Sequence, residues 1–198
     1  NMSTQTLETW FDARNGLGWG VYATSINSIS LQKISFVRYD RAIRVVTVQG
    51  LSTFSDINAI GCTNYGLDFG SATNGATYTN LNCSFNGGNA VYMGFGAGSN
   101  IINNLIMVGN STNAFYGYQS FSNNIISNFY ARNNAGNGFI FDGGANNTYV
   151  SGTMTWNSTN GFRHYVAMNE NFISCTTSNN GNNANNGFYV FGGEYYLK

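Results

Sequence analysis

Asp142, Arg163 and His164, with Tyr165 beside them, bring an acid, a cation, the one imidazole of the chain and a phenol into neighbouring stretches of sequence. Such a set could move a proton or neutralise a developing charge, because general acid–base chemistry needs titratable groups within hydrogen-bond reach. Cutting a glycosidic bond would ask for more, namely two carboxyl groups roughly 5 to 9.5 Å apart. The eight acids of the chain, Glu8, Asp12, Asp40, Asp56, Asp68, Asp142, Glu170 and Glu194, are scattered singly. A second set, Tyr92, Tyr116, Tyr118 and Tyr165 together with Asp142 and Arg163, offers ring faces flanked by polar and charged groups. Sugar rings present apolar C–H faces and hydroxyl edges, and a tyrosine answers both with one side chain.

What must position these residues is a repeat. A small residue opens a short alternating strand at GVYA (Gly20), AIRV (Ala42), GLDF (Gly66), AVYM (Ala90), AFYG (Ala114), GFIF (Gly138), GFRH (Gly161) and GFYV (Gly187), at intervals of 22, 24, 24, 24, 24, 23 and 26 residues. A near-constant period in this range predicts a stacked solenoid. About twelve positions after each opening stands an apolar residue (Leu31, Phe54, Tyr78, Ile102, Ile126, Val150, Ile173). A turn residue follows two positions later (Lys33, Asp56, Asn80, Asn104, Asn128, Gly152, Cys175). An inward pair comes next, as in Ile34 and Phe36, Ile57 and Ala59, Leu81 and Cys83, Leu105 and Met107, Phe129 and Ala131. Each repeat therefore reads as three short strands. Period-2 alternation bounded by Asn, Gly and Ser is a strand signal, and no helical periodicity is visible past residue 20. The 33 asparagines and 25 glycines suit sharp corners, and asparagines stacked at corners can link coil to coil through their amides.

Alternation sends the residue after each opening (Val21, Ile43, Leu67, Val91, Phe115, Phe139, Phe162, Phe188) to the core and the next one outward. The outward column is Tyr22, Arg44, Asp68, Tyr92, Tyr116, Ile140, Arg163, Tyr189. Two residues on, the same face continues as Thr24, Val46, Gly70, Gly94, Tyr118, Asp142, Tyr165, Phe191. Glycan binding on this face would centre on Tyr92, Tyr116, Tyr118, Asp142, Arg163 and Tyr165. The competing readings are burial of the rings against another subunit, or rings stacked simply as good strand formers. A catalytic set would be Asp142, Arg163 and His164, yet His164 falls on an inward position. Asp68 and Asp142 share a face but stand three coils apart, about 14 Å at the spacing of sheet strands.

The run of residues 123–163, with NGFIF at 137–141 between asparagine-rich corners, resembles the right-handed parallel β-helix of the pectate-lyase-like superfamily. The resemblance spans about residues 20–198, after a lead-in of residues 1–19, and is specific for fold rather than activity. That superfamily includes polysaccharide lyases and hydrolases, alginate epimerases, phage tail spikes and bacterial adhesins. The resemblance implies an all-β chain of about eight coils, an extracellular, cell-surface or virion location and a polysaccharide partner. The epimerase-type Asp-Pro-His run is absent, since the chain has no proline. The stacked aspartates with which pectate lyases hold calcium are not seen in these columns, so neither metal nor cofactor is expected. The function expected is glycan recognition by part of a tail spike, tail fibre or adhesin. The alternatives are a lyase or glycosidase of the same superfamily, with a site between chains left open, and a structural stalk.

Charge narrows the partners. Eight basic residues balance eight acidic ones, and charged residues make up only 8%. No basic stripe is available to neutralise a nucleic-acid backbone, and nothing draws the chain to an anionic membrane. No apolar run is long enough to span a bilayer. Three cysteines without metal-ligand spacing, Cys62, Cys83 and Cys175, read as isolated thiols. A solenoid whose end is uncovered exposes unpaired strand edges. A cap, a further domain or a homo-oligomer, a trimer first among them, is therefore expected to cover it.

Overall fold

The computed structural model describes residues 9–13, 18–49, 51–181, 187–191 and 195–197. Among these residues every regular element is a strand and every sheet pairing is parallel. The strands Trp19–Ile26, Arg41–Gln49, Leu67–Asn74, Val91–Phe95, Phe115–Gly117, Phe139–Phe141, Phe162–Tyr165 and Phe188–Phe191 stack in chain order as an eight-stranded sheet. An eleven-stranded sheet runs beside it, through Thr9–Asp12, Ser30–Val37, Thr53–Ile60, Thr77–Ser84, Ile101–Val108 and Ile125–Arg132 to shorter strands near the C-terminus. Each pair of neighbours on one face is joined by a full circuit through the other, which makes the chain a right-handed parallel β-helix of about seven turns.

Two of the three strands expected per coil are continuous in the middle coils. The corner between them is a single residue with left-handed backbone: Lys33, Asp56, Asn80, Asn104 and Asn128, with φ between 52° and 57°. One residue bends the strand without breaking its pairing, so 8-residue strands wrap two faces. In the later coils the two halves separate as Thr148–Val150 and Thr153–Thr155, then Glu170–Ile173 and Thr176–Ser178.

The inward column of the eight-stranded sheet is as expected, from Val21 through Ile43, Leu67, Val91, Phe115, Phe139 and Phe162 to Phe188. Phe115 and Phe139 stack with centroids 5.1 Å apart and planes 8° from parallel. On the other sheet the expected column holds through Ile126 and then shifts by one. Ile126 pairs with Tyr149 and Tyr149 with Phe172, both buried, whereas Val150 is half-buried and Ile173 exposed. The corner residues are correspondingly Ser151 and Ser174, with φ of 53° and 52°, in place of Gly152 and Cys175. The cause is a coil of 23 residues where the three before it have 24. Gly152 serves another purpose, because a Cβ there would lie 1.9 Å from the ring of Phe129 on the preceding coil. Cys175 packs against the core edge, and all three cysteines are free thiols.

Asparagine amides tie the coils together. Asn86, Asn110, Asn134, Asn157 and Asn180 form one column, in which each side chain donates from Nδ2 to the next Oδ1 at 2.8–3.0 Å, and each backbone N–H donates to that same oxygen. The second Nδ2 hydrogen of Asn86 goes to the Ala59 carbonyl and that of Asn110 to the Cys83 carbonyl, so buried amides are fully used. Cys62 heads this column, its N–H donating to Asn86 Oδ1. A second buried column, Asn100, Asn124 and Asn147, ends differently: Asn147 Nδ2 donates to the carboxyl of Glu170 at 3.1 Å.

Candidate functional site

The outward column of the eight-stranded sheet pairs Tyr22 with Arg44, Arg44 with Asp68, Asp68 with Tyr92, Tyr92 with Tyr116, Tyr116 with Ile140, Ile140 with Arg163 and Arg163 with Tyr189. Successive coils therefore place one member each on a common line, because strand pairing sets neighbours about 4.8 Å apart. Rings and guanidinium groups fill that line. Trp19 stacks on Tyr22 at 4.4 Å, and Arg44 lies over Trp19 at 5.8 Å. Tyr65 stacks on Tyr92 at 5.5 Å and 15°, Tyr92 meets Tyr116 edge-on at 5.6 Å, and Tyr116 meets Tyr118 edge-on at 6.1 Å.

Asp68 is on the expected face but not open to solvent. Its side chain is closed over by Arg41 and Arg44, the latter at 3.3 Å, and the residue is buried. Burial raises the Asp68 carboxyl above its ordinary range, with the hydrogen bond from Arg41 acting in the opposite direction. Arg41 also reaches Asp40 at 3.6 Å and lies over the Tyr65 ring at 4.9 Å. This cluster is a support for the aromatic line, with its charges met internally.

The second outward line is broken by a bulge. Val45 pairs with Phe69 but Val46 with Ser71, which leaves Gly70 as an extra residue. Gly94 is buried, and a Cβ on it would lie 1.9 Å from the Gly70 carbonyl oxygen. The expected column through Gly70 and Gly94 thus gives way to Ser71 and Phe95, which pair with each other, and Phe95 is exposed.

Asp142 follows the strand Phe139–Phe141, and its carboxylate accepts a hydrogen bond from the Tyr116 hydroxyl. Burial first, and that bond second, raise the Tyr116 phenol well above its ordinary value. Burial and then the charge of Asp68 do the same, less strongly, for Tyr92. Both phenols are donors rather than phenolate bases at neutral pH. Beside Asp142 lies an open cleft of about 470 Å³, lined by Phe95, Gln119, Ser120, Ser122, Gly143, Gly144, Ala145 and Val166 as well as Asp142. Its rim is built from corners of left-handed backbone at Gln119, Ser120 and Val166.

The structure brings Tyr92, Tyr116, Tyr118 and Asp142 together. One coil further on, beyond Ile140, Arg163 lies over Tyr165 at 4.5 Å and Tyr189 at 5.5 Å. His164 is on the other side of the sheet, wholly buried against Phe141 and Phe162, so the sheet itself separates it from Asp142 and Arg163. Trp19, Tyr65 and the cleft residues Phe95, Gln119 and Val166 were not singled out from the sequence. Tyr65 and Trp19 each stand just before an opening, at Gly66 and Gly20, a position that alternation after the opening does not rank. Among the described residues, no three His, Cys, Asp or Glu side chains gather closely enough to hold a metal ion, and no helix is long and apolar enough to cross a membrane.

No protein-family model matches the chain, and no curated protein matches it in sequence. Solved structures do share its fold. A periplasmic alginate epimerase, AlgG, superimposes with a TM-score of 0.58 at 10% identity, over 90% of this chain and 47% of its own. The A-module of the Azotobacter vinelandii mannuronan C-5 epimerase gives 0.52 at 10% identity, over 85% of this chain and 61% of its own. The Agl-KA catalytic domain gives 0.54 at 15% identity, over 95% and 40%. At such identities the likeness is one of fold, and the chain spans about half the length of these proteins.

Proposed function

We propose that the ring-lined face of this right-handed parallel β-helix binds a polysaccharide. One observation carries the reading: the rings from Tyr65 through Tyr92 and Tyr116 to Tyr118 are in continuous contact and end at the lip of a cleft with hydroxyl and amide groups. A row of four rings over three successive coils suits a polymer laid along the solenoid axis, with sugar faces on the rings and hydroxyl edges on Asp142 and the cleft. The fold shared with two alginate epimerases supports a carbohydrate as the partner. The setting that fits is a tail spike, tail fibre or surface adhesin, outside the cell or on a virion, assembled as a homo-oligomer with a trimer favoured. Retention on a broad panel of glycans, lost when Tyr92 and Tyr116 are replaced by alanine, tests the proposal, and failure of every glycan to bind would move the role to a structural stalk.

A depolymerase is the second reading, and it rests on the position of Asp142 at the cleft with Tyr116 donating to it. Arg163 and Tyr165 on the next coil would supply the cation and phenol, with His164 beneath the sheet taking no direct part. Unsaturated sugar or new reducing ends, formed by the native protein and lost in Asp142→Asn, would establish it.

A further inference from the structure

The charges on this face indicate which sugars it takes. From Trp19 to Asp142 each charged side chain of the face is met by a neighbour: Arg41 and Arg44 close on Asp68, Arg41 also meets Asp40, and Asp142 accepts from Tyr116. The cleft itself has one charged residue, the acid Asp142, and no cation in its lining. Its other polar groups are neutral, the amide of Gln119 and the hydroxyls of Ser120 and Ser122, and its walls are the exposed side chains of Phe95 and Val166. The floor is bare backbone. Gly143 and Gly144 have φ of 143° and 140°, and a Cβ on Gly144 would lie 2.0 Å from the Phe121 carbonyl oxygen, so neither position readily takes a side chain and a ring can approach the main chain. Arg163 lies outside this lining, with its guanidinium over Tyr165 and Tyr189.

We infer that the cleft takes uncharged sugar units and turns away sugar acids, a statement of ligand class that rests on the polysaccharide reading above. A sugar carboxylate in the cleft would face Asp142 with no cation between them, and like charges at short range in a partly dry site repel. A neutral unit meets hydroxyl, amide and carboxylate acceptors and donors at its edges and apolar side chains at its faces.

The native chain is to be tested by affinity electrophoresis and calorimetry at low ionic strength. The probes are neutral polymers (dextran, galactomannan, N-acetylated chito-oligosaccharide) and polyuronates (polygalacturonate, alginate). The expected result is retention by at least one neutral polymer, none by either polyuronate, and a loss of about fivefold for that neutral polymer in Phe95→Ala, which removes an exposed ring. Asp142→Asn, which keeps size and acceptor, should improve any residual polyuronate affinity by roughly tenfold. Polyuronate binding equal to or tighter than neutral binding overturns the inference while leaving the polysaccharide reading in place. So does polyuronate binding that disappears in Arg163→Gln. Absence of retention by either class overturns the polysaccharide reading itself, and the inference with it.

Discussion

His164 Nδ1 lies 3.9 Å from Glu170 Oε1, and neither side chain has any exposed surface. They sit where the second asparagine column ends, Asn147 donating to Glu170 at 3.1 Å. Burial pushes the Glu170 carboxyl up to about 7, the hydrogen bonds from its neighbours opposing the shift, and burial holds the His164 imidazole down to about 4. The two groups respond to pH in opposite senses. Glu170, raised above its ordinary 4.5, contributes stability that is full below about 4.5 and lost as pH rises through 7. His164, depressed from 6.5, contributes stability that is present above about 6.5 and lost as pH falls through 4.

Between these limits the folded chain holds one proton more at Glu170 and one fewer at His164 than the unfolded chain. The contribution of the pair to stability should therefore be flat between about pH 4.5 and 6.5. Glu170→Gln leaves the histidine alone, and stability should rise with pH across that window; His164→Gln leaves the acid alone, and it should fall. Each change should be on the order of 3 kcal/mol in denaturant unfolding across the window. Parallel pH profiles for the two variants would show that the pair does not compensate.

Phe139 and Ile140 are adjacent but face opposite ways, Phe139 with no exposed surface and Ile140 half-buried between Tyr116 and Arg163. Phe139→Asp should cost several kcal/mol, or prevent folding, by placing an unpaired charge in the core, and Ile140→Asp should cost about 1 kcal/mol or less. Thermal melts of the two variants decide, and equal destabilisation would contradict the assigned register.

Asn124 and Asn104 are both corner asparagines, one buried and one exposed. Asn124→Ala removes the oxygen that accepts both the backbone N–H and the side-chain N–H of Asn100, and should cost roughly 2–4 kcal/mol. Asn104→Ala loses only a solvent-facing bond to Asn80, with some backbone strain at its left-handed φ, and should cost about 1 kcal/mol. Chemical unfolding of the two proteins measures the difference.

Tyr92→Ala, Tyr116→Ala and Tyr165→Ala should each weaken retention of a bound glycan by about fivefold, the equivalent of roughly 1 kcal/mol per ring, with little change in melting temperature. Tyr116→Phe keeps the ring and loses the bond to Asp142, so it separates stacking from positioning. If binding survives all three alanine variants, the aromatic line is not the binding surface.

The sequence carried the strand order and the inward column of the eight-stranded sheet, though not the bulge at Gly70, because its strands are announced by a Gly or Ala that lies close to the next coil: a Cβ on Gly66 would meet the Ala90 carbonyl oxygen at 2.6 Å. The other sheet was legible as far as Ile126, the end of three successive 24-residue steps. Once a coil shortened to 23 residues, Val150 looked as suitable for the core as Tyr149, and a serine corner at Ser151 gave no stronger signal than a neighbouring glycine. Glu170 could have been found from its 23-residue step after Asn147, where the pattern asks for another amide. The cleft could not, since it is formed by corners, Gln119, Ser120 and Val166, whose left-handed backbone no residue type there advertises. The closure of Arg41 and Arg44 over Asp68 was equally hidden, because alternation gives the face of a side chain and not what folds down upon it.

The asparagine columns make the coil a unit of length. Asn86 bonds to Asn110 as Asn110 bonds to Asn134, and Asn113 bonds back to Asn89 as Asn137 does to Asn113. A chain cut after Ala90 and rejoined at Phe115 would bring Asn86 to Asn134, Asn89 to Asn137 and the backbone of Ala76 to Asn124, each meeting the same kind of partner it had lost. The molecule would be one notch shorter, poorer by Tyr92 and one wall of the cleft, and otherwise closed. Built this way, it is a ruler whose span can be changed by whole graduations, so the reach of its ring-lined track can change without a new fold.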